Sequence, residues 1–255
     1  MANRIITFWG SPGAGTTTIA LKTAAKLADE GLNVIVILAD DSTFPIGLAV
    51  QNYDKSKSIG HLLNANIMDD QMIPFSTIVQ NIQDTKNPRI GLLGYMLKET
   101  KENYVAYDSN IANSLFNRLI SNPNIDCLVI DGSTNLIGSV ITQVAIARAD
   151  RLFYVASPNI KSIAYLDSYM DTAMALSQSI YQEVILNAVM DHDPVHDLSK
   201  LLKNVKYTIP FSANMRYQMI ERDILTPLKS ISKIEKKVDA ALKLIHKTIM
   251  EGDED

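Results

Sequence analysis

The sequence predicts an α/β fold, a doubly wound, mostly parallel sheet flanked by helices. Three observations carry this. Short apolar, β-branched runs alternate along the chain with stretches of helical period. The first apolar run ends in a glycine-rich loop, "GSPGAGTTT" (Gly10 to Thr18), that opens straight into a helix. No repeat, low-complexity tract or Pro/Gly/Ser linker divides the 255 residues, so 1–250 read as a single domain and 251–255 as an acidic tail.

Taken in order, Ile5 to Phe8 form a strand that stops at the loop. Residues 17–30 place Ile19, Ala20, Thr23, Ala24 and Leu27 on one helical face, and Gly31 ends that helix. "NVIVILAD" (33–40) reads as a buried strand, completing a right-handed βαβ unit. Residues 41–88 are least legible and are expected to hold helices and loops above the carboxyl edge of the sheet. Residues 89–96 read as a strand, and 109–122 as an amphipathic helix with Pro123 just past its end. A strand at 126–133 ends in an acid and is followed by a helix at 139–150. Strands at 151–158 and 183–189 enclose a helix at 161–179; 204–211 is the last strand and 228–250 the last helix.

Composition narrows the function classes. Hydrophobic residues make up 47% and charged residues 20%, enough apolar surface for a large core. The net charge is −4; without the tail acids Glu251, Asp253, Glu254 and Asp255, 24 acidic residues face 24 basic ones. Bulk charge therefore gives no argument for nucleic-acid binding. No window reaches the ~20 apolar residues of a membrane span, and "MANRII" lacks the features of a secretory signal. The single cysteine, Cys127, excludes an internal disulfide, fits a reducing compartment and reads as a buried apolar residue. The chain is expected in the cytoplasm.

The loop is close to the phosphate-binding pattern G-x-x-x-x-G-K-[ST]. Gly10, Gly15 and Thr17 match it, while Thr16 stands where lysine belongs. Such a turn points backbone N–H groups inward, and the helix N-terminus adds positive potential. Gly10, Gly13 and Gly15 permit the backbone angles. Thr17 is placed to put its hydroxyl on Mg²⁺, and Thr18 to reach a phosphate nearer the sugar. Asp40 and Asp131 lie at the ends of strands beside the loop, where a functional reading outweighs simple turn capping.

These residues resemble the MinD/ParA family of deviant Walker P-loop ATPases, whose loop reads G-K-G-G-x-G-K-T-T. Gly10, Gly13, Gly15, Thr17 and Thr18 match. Ser11 replaces the signature lysine, Pro12 a glycine, and Thr16 the main lysine. The resemblance runs nearly the whole chain. "LAD" keeps Asp40 of D-x-D, which the resemblance makes the catalytic acid that orients the attacking water. "DCLVIDGS" supplies Asp131 as the acid that holds Mg²⁺ through water, with D-x-P-P reduced to "DGST". "ADRLFYVASPNIKSI" matches a strand followed by P-x-x-x-S. "VILNAV" implies that Asn187 reads the adenine edge, and "YTIPFSANM" that Pro210, Phe211 and Ser212 cover the base. The nucleotide-binding candidates in the loop are thus Gly10, Ser11, Gly13, Ala14, Gly15, Thr16, Thr17 and Thr18. The pilus-assembly branch, of the TadZ/CpaE type, tolerates divergent loops and is the favoured placement.

The resemblance implies ATP or ADP with Mg²⁺, a homodimer, and a protein partner in a secretion, pilus or partitioning system. Attachment to DNA, the inner membrane face or a cell pole stays open. A lost charge-assisted hydrogen bond costs about 1.5–3 kcal/mol of binding, and a lost preorganised stabiliser ~10²–10³ in rate. Nucleotide binding with weak or absent hydrolysis is the expectation, unless Lys22 or Lys161 substitutes for Thr16. The alternatives are a nucleotide-independent pseudo-ATPase scaffold and a metabolic ATP-dependent enzyme on the same fold.

Two further features are weighed. Asp191 to Asp197 hold His192 and His196 at metal-like spacing, but Pro194 between them favours a solvated loop. The last helix aligns Ile231, Ile234, Val238, Leu242, Ile245 and Ile249, with Lys229, Lys233, Lys236, Lys237, Lys243 and Lys247 outside; packing on the domain is favoured over lipid or DNA.

Overall fold

The computed structural model describes residues 4–40, 46–49, 58–60, 80–81, 89–96, 99, 108–179, 181–202, 205–229 and 232–251. In chain order the elements are β1 (Arg4–Gly10), α1 (Thr16–Asp29), β2 (Val34–Leu38), α2 (Ile46–Ala49), β3 (Gln80–Asn81), β4 (Ile90–Gly94), α3 (Ser109–Ile120), β5 (Cys127–Asp131), α4 (Val140–Arg148), β6 (Arg151–Ala156), α5 (Ile160–Leu176), β7 (Gln182–Val189), α6 (Val195–Leu202), β8 (Val205–Pro210), α7 (Ala213–Ile220) and α8 (Lys233–Glu251).

The strands form one sheet in the order β3-β4-β2-β5-β1-β6-β7-β8. All neighbours pair in parallel except the two-residue edge strand β3. Continuous burial along β2, β4, β5 and β6 follows from helices covering both faces. Alternation along β1 divides the core. Ile6 and Phe8 face α1 and α8, where they join Ile19, Leu27, Val238 and Ile245. Ile5 points the other way, towards Phe116 and Leu119 of α3 and Ile141 of α4. Trp9 joins Tyr154 and Leu166 of α5 on that second face.

The helix starts are legible in polar residues. Asp108 caps α3, Ser139 α4, Asn159 α5 and Ser212 α7, each accepting a first-turn N–H. At α1 the capping residue is Gly15, with no side-chain cap.

Three expectations are corrected. Residues 191–197 are not all loop: α6 begins at Val195, and the Pro194 carbonyl accepts from the N–H groups of Asp197 and Leu198, each at 3.0 Å. Proline here opens a helix, where its missing N–H is no loss. The last helix starts at Lys233 rather than 228, and Ile234 is 49% exposed rather than in the packed stripe. Val238, Leu242, Ile245 and Ile249 are buried, while Ile231 lies outside the described residues. Most of 41–88 also lies outside them; within it α2 and β3 are described. Cys127 is buried on β5 as expected.

Candidate functional site

β1 lies between β5 and β6, so the loop after it opens at the carboxyl edge of the sheet where the chain winds off in both directions, the usual ligand crevice of such folds. Gly10 must be glycine, because a Cβ would collide with the Val155 carbonyl on β6. Ser11 N–H donates to that same carbonyl at 3.2 Å, and Ala14 N–H closes back on the Ser11 carbonyl at 3.1 Å. Pro12 followed by Gly13 at φ 75° is the pattern of a type II turn. The substitution of Pro12 that set this loop apart in sequence thus stiffens its tip, and both tip residues are exposed. Gly15, at φ 87°, turns the chain into α1.

Three long-range contacts surround the loop. Thr17 Oγ1 donates to Asp131 Oδ2 at 2.6 Å, joining the first turn of α1 to the end of β5. Asn187 Nδ2 on β7 donates to the Ala14 carbonyl at 2.8 Å. The buried hydroxyls of Ser11 and Ser162 hydrogen-bond to each other. Two buried side-chain atoms beside these contacts have no partner, Thr16 Oγ1 and Asn187 Oδ1.

The electrostatics centre on Asp131. Burial, with the charge of nearby Asp40 added, pushes its carboxyl up to about 7 against the opposing hydrogen bond from Thr17. Asp40 is half-buried just past β2, whose Leu38 pairs in register with Asp131. The two acids of the sequence reading are therefore brought together with Thr17. Thr18 is half-buried on the first turn of α1. Phe211 N–H donates to the Val189 carbonyl at 2.8 Å, which puts the end of β8 beside the end of β7. Pro210 and Phe211 are half-buried there, and the Ser212 hydroxyl is committed to capping Met215 N–H at 3.0 Å.

Lys22 is not a substitute for the lysine that Thr16 replaces. Its ammonium is buried and donates to Gln218 Oε1 and the Thr226 carbonyl, each at 2.7 Å; burial lowers its pKa to about 8. Lys161 is exposed on the first turn of α5. Among the described residues no group of three or more His, Cys, Asp or Glu is arranged to hold a metal ion. No helix among them is long and apolar enough to cross a membrane.

Sequence reasoning missed how Asn187 is aimed. Between Leu186 and Val189 the register with β8 slips, and Ala188 adopts φ 59°. This bulge re-aims the strand at Asn187, and nothing in "LNAV" announces it. Ser162 was visible only as the serine of P-x-x-x-S.

No family model matches the chain, and no curated protein matches it. Solved structures do. A ParA family ATPase from Chlorobium tepidum TLS aligns over 96% of this chain and 100% of its own, with a TM-score of 0.77 at 19% identity. The chain has the ParA/MinD fold. The septum site-determining protein MinD of Pyrococcus horikoshii OT3, complexed with Mg-ADP, aligns over 98% of this chain and 96% of its own, with a TM-score of 0.74 at 18% identity. A plasmid partition protein of Borrelia burgdorferi B31, bound to AMPPNP, covers 96% and 99% with a TM-score of 0.75 at 16% identity. Within this fold Gly10, Gly13, Gly15, Thr17 and Asp131 lie at the carboxyl edge of the sheet, in the crevice described above.

Proposed function

We propose that the chain is an ATP-binding positioning or partitioning protein, cytoplasmic, that dimerises with nucleotide, recruits a partner assembly and hydrolyses ATP weakly or not at all. The observation that carries the reading is a pair of unpartnered buried atoms, Thr16 Oγ1 where a phosphate-type loop enters α1 and Asn187 Oδ1 on β7 against that loop. Leaving such an atom unsatisfied costs about 1–3 kcal/mol, which a polar ligand removes. The surroundings fit a nucleotide with Mg²⁺. The N-terminus of α1, which carries no side-chain cap, suits phosphate. A divalent cation near Thr17 and Asp131 offsets the charge that burial makes costly in Asp131. Asn187 Oδ1 is an acceptor of the kind an adenine amino group satisfies.

Slow turnover follows from the ammonium absent at position 16. Lys22 is engaged elsewhere, and the loop residues themselves offer phosphate only backbone N–H groups and hydroxyls. ATP supplies the transferable phosphate when bound; Asp40 and Asp131 sit where water and Mg²⁺ would be held. A pilus or secretion machine as partner rests on the loop's resemblance to the TadZ/CpaE type alone, and similarity to the plasmid partition protein supports partitioning.

Isothermal calorimetry tests the reading. Mg-ATP is expected to bind in the micromolar range, and Thr17→Ala to weaken it at least tenfold. Phosphate release from purified protein is expected near background. Absence of heat at millimolar ATP overturns nucleotide binding and leaves the scaffold reading.

A further inference from the structure

We propose that Ser162 is a positioning residue for the loop, acting through Ser11; the inference rests on the nucleotide reading above. Besides the Asn187 bond to the Ala14 carbonyl, three contacts hold Ser11 itself. Two are backbone bonds, from Ser11 N–H to the Val155 carbonyl and from Ala14 N–H to the Ser11 carbonyl, which almost any residue makes. The third is specific to this sequence: the Ser11 hydroxyl meets the Ser162 hydroxyl, with both residues at most 3% exposed.

Ser162 is itself held in place. Its Oγ accepts the Ser157 N–H at 2.9 Å, and its own N–H donates to Asn159 Oδ1 at 2.9 Å. Asn159 Nδ2 in turn donates to Ser157 Oγ at 2.6 Å. The turn between β6 and α5 is thus a polar network that reaches the loop through the Ser162 hydroxyl. Low surrounding polarity strengthens such a chain of hydrogen bonds. The anchor sits one residue before the exposed Pro12–Gly13 tip, where an unanchored loop would sample other conformations. Holding the phosphate donors in place before the ligand arrives lowers the ordering cost of binding. That preorganisation offsets part of what the missing ammonium would have supplied.

Ser11→Ala removes the contact and leaves the α5 network intact; Ser162→Ala removes the contact and the bond from Ser157 N–H, leaving the two Asn159 bonds; Ser162→Thr keeps the hydroxyl. Amide hydrogen exchange across residues 10–17 is measured without nucleotide, and Mg-ATP affinity by calorimetry. The two alanine variants are each expected to speed loop exchange roughly tenfold and weaken Mg-ATP roughly five- to tenfold. The double variant is expected to be no worse than Ser162→Ala, and Ser162→Thr to restore both readouts. Loop exchange unchanged in Ser11→Ala, or losses that add in the double variant, overturns the proposal. If the wild-type chain binds no ATP, the nucleotide reading alone falls, and the exchange comparison still decides whether Ser162 anchors the loop.

Discussion

Asp131 sits at the end of β5 with its carboxyl on the Thr17 hydroxyl, and it is buried deeply enough that ionisation is costly. In the unfolded chain it titrates near 3.8, in the folded chain near 7. Between those values the folded form holds a proton that the unfolded form lacks, so stability contributed here is full at low pH and falls as pH rises towards 7. Asp131→Asn removes that penalty. Urea unfolding without nucleotide is expected to show the variant more stable by about 1–3 kcal/mol at pH 8 and unchanged at pH 4. Binding Mg²⁺ needs the ionised acid, so Mg-ATP affinity of the wild-type chain is expected to fall about tenfold per pH unit below 7; calorimetry at pH 6, 7 and 8 checks this. An affinity flat across that range would detach Asp131 from the cation. At this scale the sequence showed which residue types stand where. Gly10, Gly15, Thr17, Asp40 and Asp131 were readable because each lies at a strand end or in a motif of fixed spacing. The aim of Asn187 was not, because it depends on a register slip between β7 and β8 that no local pattern encodes.

Elements differ in how far periodicity alone determines them. The strands β1, β2, β5 and β6 were legible because burial on both faces demands unbroken apolar runs. α6 was hidden because Pro194 reads as a breaker unless the chain's direction after it is known. α8 shows the reverse case, where the pattern was plain but its partner was ambiguous. The structure spends its apolar stripe on β8 and α1, and leaves Lys236, Lys237 and Lys243 in solvent. Ile245 is fully buried, so Ile245→Ala is expected to lower stability by about 2–4 kcal/mol in urea unfolding. Lys236→Gln with Lys237→Gln is expected to shift it by less than about 0.5 kcal/mol. The opposite ranking would mean that the helix is not held by its apolar face. α5 carries a different burden. Besides Ser162 it presents Tyr165, whose hydroxyl donates to the Thr134 carbonyl, while Trp9 Nε1 holds the neighbouring Ser133 carbonyl at 3.1 Å. One helix therefore touches both the phosphate loop and the loop after β5.

For the whole molecule, the topology gathers these parts on one edge. The loop tip at Pro12 and Gly13 is exposed there, and so are two large apolar side chains on the adjoining connections: Ile160, two residues before Ser162, and Ile137, in the loop that Tyr165 tethers, each 72% exposed. The fold class was legible because alternation of strand and helix leaves few topologies; the edge as a surface was not, because it joins residues that follow three separate strands, β1, β5 and β6. A second copy meeting this edge would cover the isoleucines and close over the nucleotide, so a ligand preferring the paired state shifts the population towards it. Sedimentation velocity is expected to show monomer with Mg-ADP and dimer with Mg-ATP. Ile137→Glu or Ile160→Glu is expected to hold the Mg-ATP form monomeric while calorimetry still registers binding. Because turnover resets such a dimer, the wild-type dimer should be long-lived. Thr16→Lys, which returns the ammonium to the loop, is expected to raise phosphate release ~10²–10³-fold and shorten dimer lifetime in step. A chain that sediments as monomer at saturating Mg-ATP would bind its nucleotide without a second copy, and its partner would have to recognise the monomer's edge directly.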